Sequence, residues 1–229
     1  MAKVFLTFDD GPGPKTIEIA EILAEANARA TFFLVGRNIE RYPLAPKKLA
    51  LLGHSIGVHG HAHSSLRSLP RQEALAELEN AKALIAEKAG IAPSFFRPPY
   101  GDYDSGVLGA GLSLGLSPLL WSFNPHDWEK IPRIQGSPEK ALGLEKARPG
   151  DIILFHDSSA KSTDEAKARA CFYAENLPSI LDFFSSRNLV PAPLEGALSP
   201  SYLPYYNLRM AKKILSAKAW LALKGKAFY

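Results

Sequence analysis

Short apolar runs alternate with helix-period segments along these 229 residues, and this alternation narrows the fold more than any other feature. Residues 4–8, 31–35, 55–58, 95–97, 119–123, 152–155 and 189–190 read as strands. Between them, residues 17–27, the stretch after Tyr42-Pro43, and residues 71–89, 106–114 and 176–186 read as helices. The helix over 71–89 has the clearest limits: Pro70 sits at its start, Leu75, Leu78 and Ile85 lie on one stripe, and Gly90 follows its end. Strand–helix alternation predicts an α/β fold on a parallel sheet, and the length fits one domain. The polar segment 158–169 reads as a surface loop or short helix. No internal repeat or low-complexity stretch interrupts the pattern.

Charge divides the chain unevenly. The net charge is +4, yet residues 197–229 hold Arg209, Lys212, Lys213, Lys218, Lys224 and Lys226 and no acid. The rest is close to neutral, which argues against a nucleic-acid-binding body. Residues 197–206, rich in Pro, Ser and Tyr, read as a linker. Residues 210–223 carry Ile214, Leu215, Trp220, Leu221 and Leu223 in a basic amphipathic helix pattern. Such a helix packs back on the domain or, as the second choice, lies on an anionic membrane surface. The single cysteine, Cys171, excludes an internal disulfide. No signal-peptide pattern or membrane-length apolar run is visible, so the sequence reads as cytoplasmic. A peripheral inner-membrane location, or export from a longer start, stays open. Oligomeric state is not legible.

The chemistry gathers at the strand ends. The histidines at 54, 59, 61, 63, 126 and 156 all fall near strand C-termini or in the following loops, where parallel α/β folds build their sites. Asp9 and Asp10 close the first strand, and Gly11-Pro12 turns the chain. Adjacent carboxylates repel unless a cation neighbours them; alone, the pair could be a solvated turn. His59 and His63 are four apart, a spacing that brings two imidazoles together when the chain turns between them. Two histidines and a carboxylate with open positions suit catalytic Zn²⁺ and also Fe²⁺. His61 should point elsewhere, and His54 reads as a packed, hydrogen-bonded residue. Arg97 after a third strand can pair with a carboxylate, or cap a rigid Pro-Pro turn. Asp127-Trp128 and His156 each have bland readings taken singly, but core packing does not require such groups at five strand ends together.

In this combination the chain resembles the polysaccharide deacetylase family, carbohydrate esterase family 4, over roughly residues 3–195. Thr7-Phe8-Asp9-Asp10-Gly11-Pro12, His59-Gly60-His61-Ala62-His63, Arg97-Pro98-Pro99-Tyr100, Asp127-Trp128 and Leu154-Phe155-His156 appear in the family's order. The resemblance implies a distorted (β/α) barrel with fewer than eight strands over residues 1–196, followed by the basic extension 197–229. It implies a hydrolase that removes N-acetyl groups from an amino-sugar glycan. By the same resemblance Asp10, His59 and His63 are ligands of one divalent metal, Zn²⁺ ahead of Co²⁺, Ni²⁺, Fe²⁺ or Mn²⁺. Asp9 is the general base and Arg97 its charged partner. Tyr100 supplies an oxyanion-hole N–H, His156 is the general acid tuned by Asp127, and Trp128 and Leu154 line the acetyl pocket. Three positions depart from the pattern. Gly60 stands where Ser or Thr is usual, Asn124 where an acid is common, and Ser64 where a proline is common. Competing readings are hydrolysis of another linear or cyclic amide on the same site and an inactive carbohydrate-binding module.

Overall fold

The computed structural model describes residues 1–131, 136–159 and 163–194. Its strands are β1 (Ala2–Gly11), β2 (Thr31–Leu34), β3 (Ser55–Val58), β4 (Phe95–Phe96), β5 (Ser117–Pro118), β6 (Ile152–His156) and β7 (Leu189–Pro191). Its α-helices are α1 (Thr16–Glu25), α2 (Gly36–Arg41), α3 (Ala45–Leu51), α4 (Arg71–Ala89), α5 (Ser105–Ser113), α6 (Asp127–Lys130), α7 (Pro138–Ala141) and α8 (Thr163–Ser186). The strands form one seven-stranded sheet in the order β5-β4-β3-β2-β1-β6, with β7 paired to the start of β1. Every pairing is parallel. Among the described residues only a single bridge, Phe123 to Ile153, lies between the β5 and β6 ends. The result is the expected distorted, incompletely closed barrel.

The twofold alternation of side chains along a strand assigns each strand one helix-facing set and one opposite set. Val4, Leu6 and Phe8 of β1, Phe32 and Leu34 of β2, Ile56 and Val58 of β3, Phe96 of β4, and Ile153 and Phe155 of β6 join the helices in the main core. Phe5, Phe33, Phe95 and Ile152 form a separate cluster on the other face. Following that second set toward the strand ends gives Thr7 and Asp9, then His59, Arg97, Leu154 and His156. Periodicity alone therefore delivers the polar groups to one mouth. No helix among the described residues is long and apolar enough to cross a membrane. The expected linker and basic helix lie outside the described residues.

The elements differ from expectation in four places. Residues 119–123 do not form a continuous strand: the Leu119 and Leu120 carbonyls accept hydrogen bonds from Arg97 Nε and Nη2 (3.0 and 3.1 Å), and only the end of the segment, at Phe123, bridges to β6. The segment 158–169, expected as a surface loop or short helix, instead opens a long one, because α8 begins at Thr163 and runs through Pro178. Its buried Ala166, Ala170, Tyr173, Leu177, Ile180 and Phe184 make a continuous helical stripe against the sheet. The short helices α2, α6 and α7 were not foreseen, being too brief to show periodicity. Finally, His54 lies before β3, at the end of the sheet opposite the other five histidines.

His54 is a structural residue, as its position suggested. Its Nδ1 accepts from Ala30 N–H (3.2 Å) and its Nε2 donates to Ala20 O (2.9 Å), so the neutral ring is satisfied at both nitrogens. Burial, with Arg29 nearby, lowers its pKa from 6.5 to about 4 against the opposing Ala20 bond. An unfolded chain protonates His54 below pH 6.5 and the folded one does not, so stability from this residue is lost as pH falls from 6.5 toward 4. In thermal melts across that window the wild type should lose more stability than His54→Asn loses. Parallel pH curves for the two proteins would remove this role.

Candidate active site

Asp9 is reached through the alternation of β1 and held by a buried guanidinium. Arg97 is fully buried; its Nη1 donates to Asp9 Oδ1 (2.6 Å) and Thr7 Oγ1 (2.8 Å). The guanidinium carbon lies 4.1 Å from the centroid of the Phe33 ring. Thr7 and Asp9 are two apart on one strand, so one guanidinium meets both. Consecutive strand residues ordinarily face opposite ways. Asp10 reaches the same site as Asp9 because its backbone is left-handed (φ 70°) and the β1–β2 register shifts between Phe8 and Gly11. Asn38 Nδ2 holds this kink by donating to Asp10 O (2.7 Å).

The structure brings Asp10, His59 and His63 together. One ligand atom from each lies within 4.8 Å of the others, and all three residues are buried. His59 Nδ1 contacts Arg97 O at 2.7 Å, and since a carbonyl only accepts, Nδ1 carries the proton. The other ring nitrogen, Nε2, faces Asp10 Oδ1 at 3.5 Å and Asp9 Oδ2 at 3.7 Å. His63 Nε2 lies 2.9 Å from Asp10 Oδ1. Two carboxylates this close together in a buried cluster repel, and a divalent cation held between them and the imidazoles removes the conflict. The donor set of two imidazoles and one carboxylate fits such an ion. Asp10 titrates well below the usual carboxylate range: burial pushes it up, but hydrogen bonds from His59 and His63 and the charge of His156 outweigh that.

His156 faces Asp9 across the sheet, for the two are register partners of β6 and β1. Its Nδ1 lies 2.7 Å from Asp127 Oδ1, while Asp127 Oδ2 accepts from His156 N–H and from Tyr173 OH, both at 2.8 Å. Burial would lower the His156 pKa, but the charge and hydrogen bond of buried Asp127, aided by Asp10 and Asp9, raise it to about 9. His156 is therefore cationic at neutral pH. The mouth is a cavity of about 440 Å³ lined by Asp9, Asp10, His59, His63, His156 and the walls Tyr100, Trp121, Trp128 and Leu154. Trp128 stands edge-on to His156 (5.3 Å) and Tyr100 to His63 (4.7 Å).

Every candidate residue thus belongs to this one site, though Arg97 and Asp127 stand behind it. His61 does point away, toward Glu40 (3.6 Å). Sequence reading missed four supporting residues. Trp121 lies on the segment expected as strand. Arg169, whose Nη1 bonds Ser158 O (3.1 Å) and lies 3.7 Å from Asp10 Oδ2, sat in the presumed loop. Tyr173 reads only as part of an apolar stripe. Asp157, fully buried beside Thr16 of α1, follows His156 without a signal of its own; burial, with Asp10 and Asp9 nearby, raises its pKa to about 7 although Thr16 and its own backbone oppose this.

Residues 2–119 match the polysaccharide deacetylase family. A chitooligosaccharide deacetylase from Azorhizobium caulinodans is 38% identical over 158 residues, which span 68% of this chain and 74% of that protein. The chain belongs to the polysaccharide deacetylase family. It is accordingly a hydrolase of the carbohydrate N-deacetylase class. A peptidoglycan-N-acetylglucosamine deacetylase from Bacillus cereus is 32% identical over 165 residues, covering 69% of this chain and 60% of its own length. The solved family 4 carbohydrate esterase from Streptomyces lividans, in complex with acetate, superposes with a TM-score of 0.67 at 25% identity, covering 84% of this chain and 93% of that one.

Of the three departures from the deacetylase pattern, two have a counterpart in the structure. Gly60 is left-handed (φ 73°), a conformation that suits glycine. Three residues on, His63 Nδ1 is buried without a hydrogen-bond partner among the described residues. Asn124 Oδ1 accepts from His126 N–H (2.9 Å) and so shapes the turn into α6. Nothing in the structure explains Ser64. For the Asp127–His156 pair, the imidazole followed by NMR should titrate at about 9. In Asp127→Asn it should fall by about 1–3 units as the opposite charge is removed; an unshifted titration would show that Asp127 does not set it.

Proposed function

We propose that this deacetylase hydrolyses the N-acetyl group of an amino sugar within a glycan and releases acetate, using one divalent cation, Zn²⁺ first among the candidates. The observation that carries this reading is the placement of three kinds of group around one cavity: the Asp10–His59–His63 cluster, a carboxylate on a buried arginine, and a cationic histidine. The glycan relatives point to N-acetylglucosamine units, as in the chitooligosaccharide and peptidoglycan deacetylases.

Asp10, His59 and His63 would hold the cation, which when bound supplies the positive charge that polarises an acetyl carbonyl and acidifies water. Asp9, oriented by Arg97 through Oδ1, takes the proton from the attacking water as the bond to the acetyl carbon forms. The Tyr100 N–H stabilises the charge that develops on the carbonyl oxygen. His156 enters protonated and gives its Nε2 proton to the sugar nitrogen as the C–N bond breaks. Asp127 compensates the imidazolium beforehand and keeps Nδ1–H engaged. Trp128 and Leu154 close the wall where the acetyl methyl would sit, and Tyr100 and Trp121 offer ring faces to the sugar.

Two measurements test the proposal. Acetate release from N-acetylated chitooligosaccharides should stop with a chelator and return with Zn²⁺; full activity in the chelator would refute metal dependence. Asp9→Asn should keep its metal, measured by elemental analysis, while losing about 10²–10⁴ in kcat, the usual worth of one acid–base group. Activity within tenfold of wild type would remove Asp9 as the base.

A further inference from the structure

We propose that Glu77 of α4, a residue outside the catalytic motifs, is the positioning residue for the metal-ligand loop 59–63. The inference rests on reading Asp10, His59 and His63 as the cation site. His59 is fixed at the end of β3 by its N–H to Leu34 O (2.9 Å) and its ring to Arg97 O. His63 must return to the same point four residues later, which requires left-handed backbone at Gly60 (φ 73°) and at His63 itself (φ 58°). For a non-glycine residue such a conformation persists only where the surroundings impose it.

Two sets of hydrogen bonds impose it. On one side the carbonyls of Gly60 and His61 accept from Gly36 N–H and Arg37 N–H at the start of α2 (3.0 and 2.9 Å). On the other, the N–H groups of His61 and Ala62 converge on a single oxygen, Glu77 Oε2, at 3.0 and 2.8 Å. Glu77 is half-buried, next to Ala74, Leu78 and Ala81 of the buried α4 stripe, so its backbone cannot drift. A Cβ at position 60 would stand 3.3 Å from the same oxygen, so glycine there leaves room for the carboxylate. Because His63 Nδ1 has no partner among the described residues, the ring is hydrogen-bonded only through Nε2, to Asp10 itself (2.9 Å), and no hydrogen bond behind it holds it in place. The loop backbone therefore carries the alignment of His63 Nε2 with Asp10, and Glu77 clamps the loop.

The test is the Zn²⁺ dissociation constant of chelator-stripped protein, by competition with a chromophoric chelator, beside thermal melts of the stripped form. Glu77→Ala should weaken Zn²⁺ by about 10–100-fold, the usual effect of losing an outer partner of a metal ligand, with Glu77→Gln within about threefold of wild type. The glutamine carbonyl can accept the same two N–H groups without charge. Glu77→Asp keeps the charge but withdraws the oxygen by one methylene, so it should resemble alanine; it carries the test if the alanine variant fails to fold. A Glu77→Ala protein that melts lower yet binds Zn²⁺ as tightly as wild type would overturn the role of Glu77 and leave the cation site standing. Wild-type protein that takes up no Zn²⁺ would overturn both.

Discussion

A guanidinium sealed from water needs an anion and enough acceptors for its five N–H groups, and Arg97 is the residue on which the site is assembled. It finds the anion in Asp9, a hydroxyl in Thr7 and carbonyls in residues 119 and 120, while Phe33 covers its face. These contacts join β1, β2, β4 and the segment after β5. Its own carbonyl then accepts the Nδ1–H of His59, which leaves Nε2 as the nitrogen that can turn to a cation. One side chain thus fixes the direction of the proposed base, and its backbone fixes the tautomer of a ligand. Removing one member of such a buried pair leaves an uncompensated charge, commonly a loss of about 3–5 kcal/mol. Arg97 therefore belongs to stability and chemistry together.

The same economy governs the proposed acid. Asp9 and His156 are neighbours in register on adjacent strands, so proton acceptor and proton donor are placed by the sheet. Their charges are set from behind. Asp9 faces Arg97, whereas His156 faces Asp127, whose second oxygen is already occupied by the His156 N–H and the Tyr173 hydroxyl. Burial and the Asp127 charge also push the Tyr173 pKa well above its ordinary value, so the hydroxyl remains a donor. A chain of buried groups, each with a defined donor or acceptor role, has little freedom to exchange them.

Much of this was legible in the sequence because strand periodicity and strand-end position carry physical information. The parallel βα order and the limits of α4 follow from apolar spacing, and the meeting of His59 and His63 from their four-residue separation, whereas Asp10 as their partner was implied only by the resemblance to the deacetylase family. The histidine rule failed at His54, whose place before a strand puts it at the wrong end of the sheet. The strand expected over 119–123 failed because apolar content does not reveal that a distant arginine will take two backbone carbonyls. The segment 158–169 read as a surface loop or short helix, and not as the opening of a long one, because its charged surface masks alanines spaced for burial. In each case a tertiary contact outweighed the local pattern.

The residues that hold the site together are the least visible for a related reason. Asp10, His63 and Tyr100 all have left-handed backbones, a concentration of unfavourable conformation around one cavity. Such geometry needs support, and the support comes from ordinary side chains on helices. Asn38 holds the Asp10 carbonyl, Glu77 holds the loop before His63, and Thr16 engages Asp157 beneath the end of β1. An asparagine, a glutamate and a threonine on amphipathic helices carry no spacing that separates them from surface residues. Their role exists only once the helices are packed against the sheet. Motif residues specify which chemistry this barrel can perform; the unremarked polar residues behind them determine whether the strained backbone stays in the one conformation where that chemistry is available.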